Sequence, residues 1–129
     1  ELSERAAFGE FEKPLVIPIP LSENRMRERG FNQAELIARE VAGTEEIFEL
    51  RTDILVKDKE TKPQATIKNR NERLKNVLGC FQAVHPEKIH GRNIILVDDI
   101  YTTGGTMLEA KKVLEYAGAR NILCAAVAH

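Results

Sequence analysis

The sequence predicts an α/β domain built on a mainly parallel, twisted sheet flanked by helices. Three observations carry that expectation. Ile94-Ile95-Leu96-Val97 is a short continuous apolar run, the pattern of a strand buried on both faces. A polar turn follows it, then a helical pattern with Met107, Leu108, Val113 and Leu114 near 3.6-residue spacing and Gly118 as its stop. An earlier strand–helix unit has the same plan: Leu15-Val16-Ile17-Pro18-Ile19-Pro20, then Ala34, Ile37, Ala38 and Val41 on one helix face, ending at Gly43.

The totals fit one domain. A chain of 129 residues, 43% of them hydrophobic, can bury a real core. The chain starts without Met and its first 13 residues are polar, with a helical piece at residues 2–8, so a domain cut from a longer protein is expected. Pro18 argues against a central strand unless it stands at the strand's end. Residues 21–29 are expected to form a loop holding Arg25, Arg27 and Arg29 among Glu23 and Glu28. Three arginines near a strand end can grip a pyrophosphate in bidentate fashion, although on charge alone such a run is usually a solvated surface. Asn32 is the expected N-cap of the helix that follows.

Residues 47–56 suggest one short strand or two. Residues 57–63 are charged and broken by Pro63, so a mobile surface loop is expected. Residues 68–76 read as a short basic helix with Lys68, Arg70, Arg73 and Lys75, a pattern more often solvated than bound to nucleic acid. Residues 80–84 form a strand candidate, His85-Pro86 and His90-Gly91 bracket a connection, and residues 121–128 form a last apolar strand.

Composition narrows the function classes. Net charge is −1, which gives no general field for nucleic acid or membrane. Aromatic residues are 5% of the chain and Trp is absent, which weakens a base-stacking platform. Cys80 and Cys124 stand alone without metal-ligand spacing and are expected to be buried, reduced thiols, which suits cytoplasm. No apolar run is long enough to span a membrane. The three histidines have no partners at ligand spacing, so no protein-held metal site is expected.

Chemistry concentrates after the apolar run. Asp98 and Asp99 are expected where that strand ends, and a Thr/Gly turn opens the helix. Free amides and the helix dipole make such a turn an anion site. Gly104 and Gly105 let the backbone close around a phosphate, and Thr102, Thr103 and Thr106 can add hydroxyl donors. Ionised Asp98 and Asp99 suit sugar hydroxyls or a hydrated metal. A phosphate seat beside two carboxylates fits a sugar phosphate.

The stretch Val97-Asp98-Asp99-Ile100-Tyr101-Thr102-Thr103-Gly104-Gly105-Thr106 resembles the phosphoribosyl-pyrophosphate (PRPP) motif of type I phosphoribosyltransferases. Ile17-Pro18-Ile19-Pro20-Leu21, Arg29-Gly30-Phe31-Asn32-Gln33-Ala34, and the series Thr61, Gln64, Arg70, Arg73, Asn76, Gly79 and Phe81 are similar to the ComF/GntX-like branch of that superfamily. The likeness runs from about residue 15 to residue 128. One departure stands out: the family's Cys-rich, zinc-binding N-terminal segment has no counterpart here, so zinc is not carried over.

The resemblance implies a type I phosphoribosyltransferase fold and a transferase of nucleoside metabolism. Asp98 and Asp99 would be the catalytic pair on the ribose hydroxyls. Thr102, Thr103, Gly104, Gly105 and Thr106 would wrap the 5′-phosphate. Arg29 and Arg73 would bind pyrophosphate, Arg73 from the loop that closes over the site. Mg²⁺ would be the cofactor, held mainly by PRPP oxygens and water. Implied partners are PRPP, an unidentified acceptor and the DNA-uptake machinery of competence, with homodimerisation compatible. The alternative is a non-catalytic PRPP sensor or competence accessory, since no base-selecting hood element is evident. A P-loop hydrolase lacks its Gly-x-x-x-x-Gly-Lys-Ser/Thr signature here, and a receiver domain would place its acid pair much earlier.

Overall fold

The computed structural model describes residues 13–100 and 105–128. The expected helical piece at residues 2–8, and Thr102, Thr103 and Gly104, lie outside the described residues.

The chain runs β1 (Leu15–Pro18), α1 (Glu23–Arg29), α2 (Gln33–Gly43), β2 (Glu49–Leu50), β3 (Leu55–Lys57), a 3₁₀ turn (Gln64–Thr66), α3 (Arg70–Val77), β4 (Phe81–Ala83), a second 3₁₀ turn (Pro86–Lys88), β5 (Asn93–Ile100), α4 (Gly105–Tyr116) and β6 (Asn121–Ala128). Four strands form a parallel sheet in the order β2-β1-β5-β6. The pair β3-β4 is a separate antiparallel ribbon. Residues 47–56 thus enter two different sheets.

Alternation along β1 and β5 buries both faces. Leu15 and Ile17 pair with Ile94 and Leu96 and face the larger core, closed by Met107, Ala110 and Leu114 of α4, Val77 of α3, and Leu55 and Phe81 of the ribbon. Val16 and Val97 face the other way, against Ala38 with Ile37 and Val41 of α2. Each fully buried Leu, Ile, Val, Phe or Met among them contributes about 2 kcal/mol through removal from water. Leu108 lies on the outer side of α4, 41% exposed, because the helix packs through Met107, Ala110 and Leu114.

Pro18 ends a central strand, and the ladder explains why it is tolerated. Ile19 N–H donates to Val97 O at 2.8 Å, on the β5 side. The Pro18 nitrogen therefore faces the β2 side, where β2 has already finished at Leu50.

The segment expected as an arginine loop is a helix, α1. Ser22 caps it: Arg25 N–H donates to Ser22 Oγ at 3.3 Å. Glu23 lies in the first turn and Arg27 and Arg29 in the last, the favourable order for the dipole. Gly30, at φ 79°, ends it in the left-handed conformation. Asn32 caps α2 as expected, accepting from Ala34 N–H at 3.0 Å, while its Nδ2 donates to Ile19 O at 3.0 Å.

Residues 57–63 carry side-chain hydrogen bonds in this structure. Ser22 Oγ donates to Glu60 Oε1 at 2.6 Å and Lys57 Nζ to Thr61 Oγ1 at 2.6 Å. Both cysteines are free thiols, Cys80 buried and Cys124 half-buried. No helix among the described residues is long and apolar enough to cross a membrane.

Candidate functional site

Connectivity opens a crevice. β1 leads through α2 to β2 on one side of the sheet's midline, and β5 leads through α4 to β6 on the other. Neighbouring strands whose exits diverge leave a cleft at their carboxyl ends, where ligands of open α/β sheets bind. Here that cleft lies beyond the Pro18–Val97 pair.

Asp98 and Asp99 occupy this position. β5 continues through them to Ile100 rather than stopping before them, because β6 pairs alongside and holds the chain extended. Both side chains are half-buried. Asp99 N–H donates to Asp98 Oδ1 at 2.8 Å. Strand alternation carries Asp98 to the α4 side, in line with Ile94 and Leu96. Burial pushes its carboxyl up to about 7, and the adjoining Asp99 carboxyl adds to the rise. Among the described residues, no ion pair engages either acid.

Lys57, at the end of β3, is the cation whose field reaches Asp98. Burial pulls its ammonium pKa down, and the nearby Arg25 charge acts the same way, while Glu60 and Asp98 oppose. Lys57 stands in the sequence at the head of a charged run, yet it closes a strand. Its position directly after Leu55-Val56, as the last residue of a strand, is the signal that could have found it. Lys57 also lines a cavity of about 630 Å³ with Pro20, Leu21, Met26 and Glu60.

The expected phosphate and pyrophosphate residues divide. Gly105 is the buried first residue of α4, and Thr106 is half-buried behind it. Arg73, on α3, is half-buried, and its Nε donates to Ile67 O at 2.5 Å. The backbone carbonyl of Arg73 lies 3.8 Å from where a Cβ on Gly105 would stand, so α3 abuts the start of α4. Arg29 is exposed on the last turn of α1, and its side chain makes no hydrogen bond or ion pair among the described residues. Arg25, one turn earlier and half-buried, is the α1 arginine whose charge reaches Lys57.

Comparison with known proteins agrees with this geometry. The family model described as the phosphoribosyl transferase domain matches residues 27–129. Competence protein ComFC of Streptococcus pneumoniae is 42% identical over 106 residues, covering 82% of this chain and 44% of that protein. Competence protein F of Haemophilus influenzae is 34% identical over 108 residues, covering 83% of this chain and 46% of the relative. The DNA utilization protein YhgH of Escherichia coli O157:H7 is 28% identical over 107 residues, covering 83% and 45%. The chain thus spans somewhat less than half the length of these curated relatives. An acid pair at the exit of a central parallel strand, a glycine-opened helix beside it and a domain match over most of the sequence lead to one conclusion: the chain belongs to the phosphoribosyl transferase domain family, in its ComF-like, type I branch.

Proposed function

We propose that this domain binds PRPP and displaces its pyrophosphate, transferring phosphoribose to an acceptor. The observation that carries this reading is the half-buried pair Asp98–Asp99 at the diverging exits of β1 and β5, immediately before α4. A carboxyl held near neutrality by burial and a like neighbour gains most from hydroxyl donors or positive charge brought by a ligand. Ribose hydroxyls supply the first, and an oxocarbenium-like transition state supplies the second.

Each group has a role in this reading. Asp98 and Asp99 orient the ribose and oppose the charge that grows at the anomeric carbon. Amides at the start of α4, with Thr106, receive the 5′-phosphate. Arg29 and Arg73 remain the proposed pyrophosphate contacts, and Lys57 and Arg25 add cationic field on the β1 side. The donor set fits a hard cation held mostly by ligand oxygens and water, with Asp98 and Asp99 the side chains that would hold it. When bound, Mg²⁺ supplies neutralisation of the leaving pyrophosphate.

The test is calorimetry of PRPP with and without Mg²⁺, followed by pyrophosphate release across a panel of nucleobases and amines. Saturable PRPP binding with release for one acceptor class supports the transferase. Absence of PRPP binding by folded protein overturns the reading. The names of the relatives favour a second reading, a PRPP-sensing accessory of DNA uptake. Binding without turnover on any acceptor selects it.

A further inference from the structure

The side chain of Asn76, on α3, fastens a segment well before it in sequence. Its Oδ1 accepts from Lys62 N–H at 3.0 Å, and its Nδ2 donates to Lys62 O at 2.7 Å. Those two backbone bonds fix which end of the Asn76 amide is nitrogen, because a backbone N–H only donates and a carbonyl only accepts. The same Nδ2 donates to Gln64 Oε1 at 2.8 Å. The Gln64 amide is thereby fixed too: a flipped amide would set two donors against each other.

Gln64 Nε2 consequently points away from Asn76. It is buried and has no hydrogen-bond partner among the described residues. It stands 3.1 Å from the position a Cβ on Gly105 would occupy, so the missing side chain at Gly105 is what admits it. Buried donors are almost always satisfied. This donor is held in a fixed direction by a three-bond clamp and lies unpaired beside the first residue of a twelve-residue helix, where an oxygen acceptor would satisfy it.

We propose that Gln64 Nε2 donates a hydrogen bond to the phosphate monoester bound at the start of α4, with Asn76 as its positioning residue. The inference rests on the PRPP reading above and assigns a phosphate donor from outside the Thr/Gly turn. It also ties the segment at residues 62–67 to occupancy of that seat: phosphate completes the Gln64 hydrogen bonds and so holds the segment against α4. An oxygen acceptor, rather than an apolar group, is required.

The experiment uses the whole chain and two probes, ribose 5-phosphate and inorganic pyrophosphate, titrated by calorimetry. Gln64→Met keeps the length and removes both the donor and the oxygen that accepts from Asn76. Gln64→Glu keeps an oxygen for Asn76 and turns the donor into an anion. Ribose 5-phosphate affinity is expected to fall about tenfold in Gln64→Met and further in Gln64→Glu, as for loss of a hydrogen bond to a charged group. Pyrophosphate affinity is expected to stay within about twofold of the parent. Equal ribose 5-phosphate binding by parent and both variants overturns the inference and leaves the PRPP reading standing. A folded parent that binds neither ribose 5-phosphate nor PRPP overturns both. If Gln64→Met fails to fold, the donor role is decided on Gln64→Glu alone, by the same ratio.

Discussion

The two central strands pair in register, yet their exits differ. After β1 the chain turns into α1, a seven-residue helix with no buried residue, held by its caps and by the Ser22–Glu60 bond. After β5 comes a half-buried acid pair and then α4, which buries Gly105, Met107, Glu109, Ala110 and Leu114. One exit carries solvent-facing cations on a helix that buries no residue; the other keeps its acid pair half-buried. The contrast puts the desolvation cost on the β5 side and leaves solvated charge on the β1 side.

Several measurements sharpen or break this contrast. The largest effect is expected at the β5 exit. Asp98→Asn should weaken PRPP binding on the order of 100-fold, the loss of charge-assisted hydrogen bonds. Unchanged affinity in that variant would remove the acid pair from the site.

The second effect is on stability. Asp98 is raised from 3.8 to about 7 in the folded state. Between those values the folded chain holds a proton that the unfolded chain has released, so stability falls as pH rises through this window. The cost is absent below the ordinary value and complete above the raised one. Denaturant titrations on either side of the window should differ by on the order of 2 kcal/mol, discounted for partial exposure and for coupling to Asp99. The difference should shrink in Asp98→Asn, and under the proposed function PRPP should bind more tightly as Asp98 ionises with pH rising through 7. A flat stability profile would show that the pair is better solvated than its burial suggests.

At the β1 exit, Ser22→Ala should cost about 1 kcal/mol, since it removes both the α1 cap and the bond to Glu60. Circular dichroism and melting would register it. Smallest of all, Arg29→Ala should leave stability within about 0.5 kcal/mol, as for an exposed site. Its pyrophosphate affinity should fall less than that of Arg73→Ala. The reverse order would relocate the leaving-group contact to α1.

Much of this was readable in the residues. The β5–α4 unit, the Asn32 cap and the strands at residues 15, 81 and 121 all follow from short-range pattern, and so does the acid pair before the helix. The helix α1 was missed because its signals, Ser22 before Glu23 and Gly30 after Arg29, are weak beside a run of charges with no apolar face.

Sequence alone determined the alternation of strand and helix, the acid pair and the glycine-opened helix, since these depend on residues within a few positions of each other. Only the tertiary structure decided the strand order that splits the exits of β1 and β5, the removal of β3-β4 into its own ribbon, and the orientation of Gln64 through Asn76. Those depend on which distant backbone groups remain to be hydrogen-bonded and which apolar faces remain to be covered. That accounting closes only when the whole chain is packed.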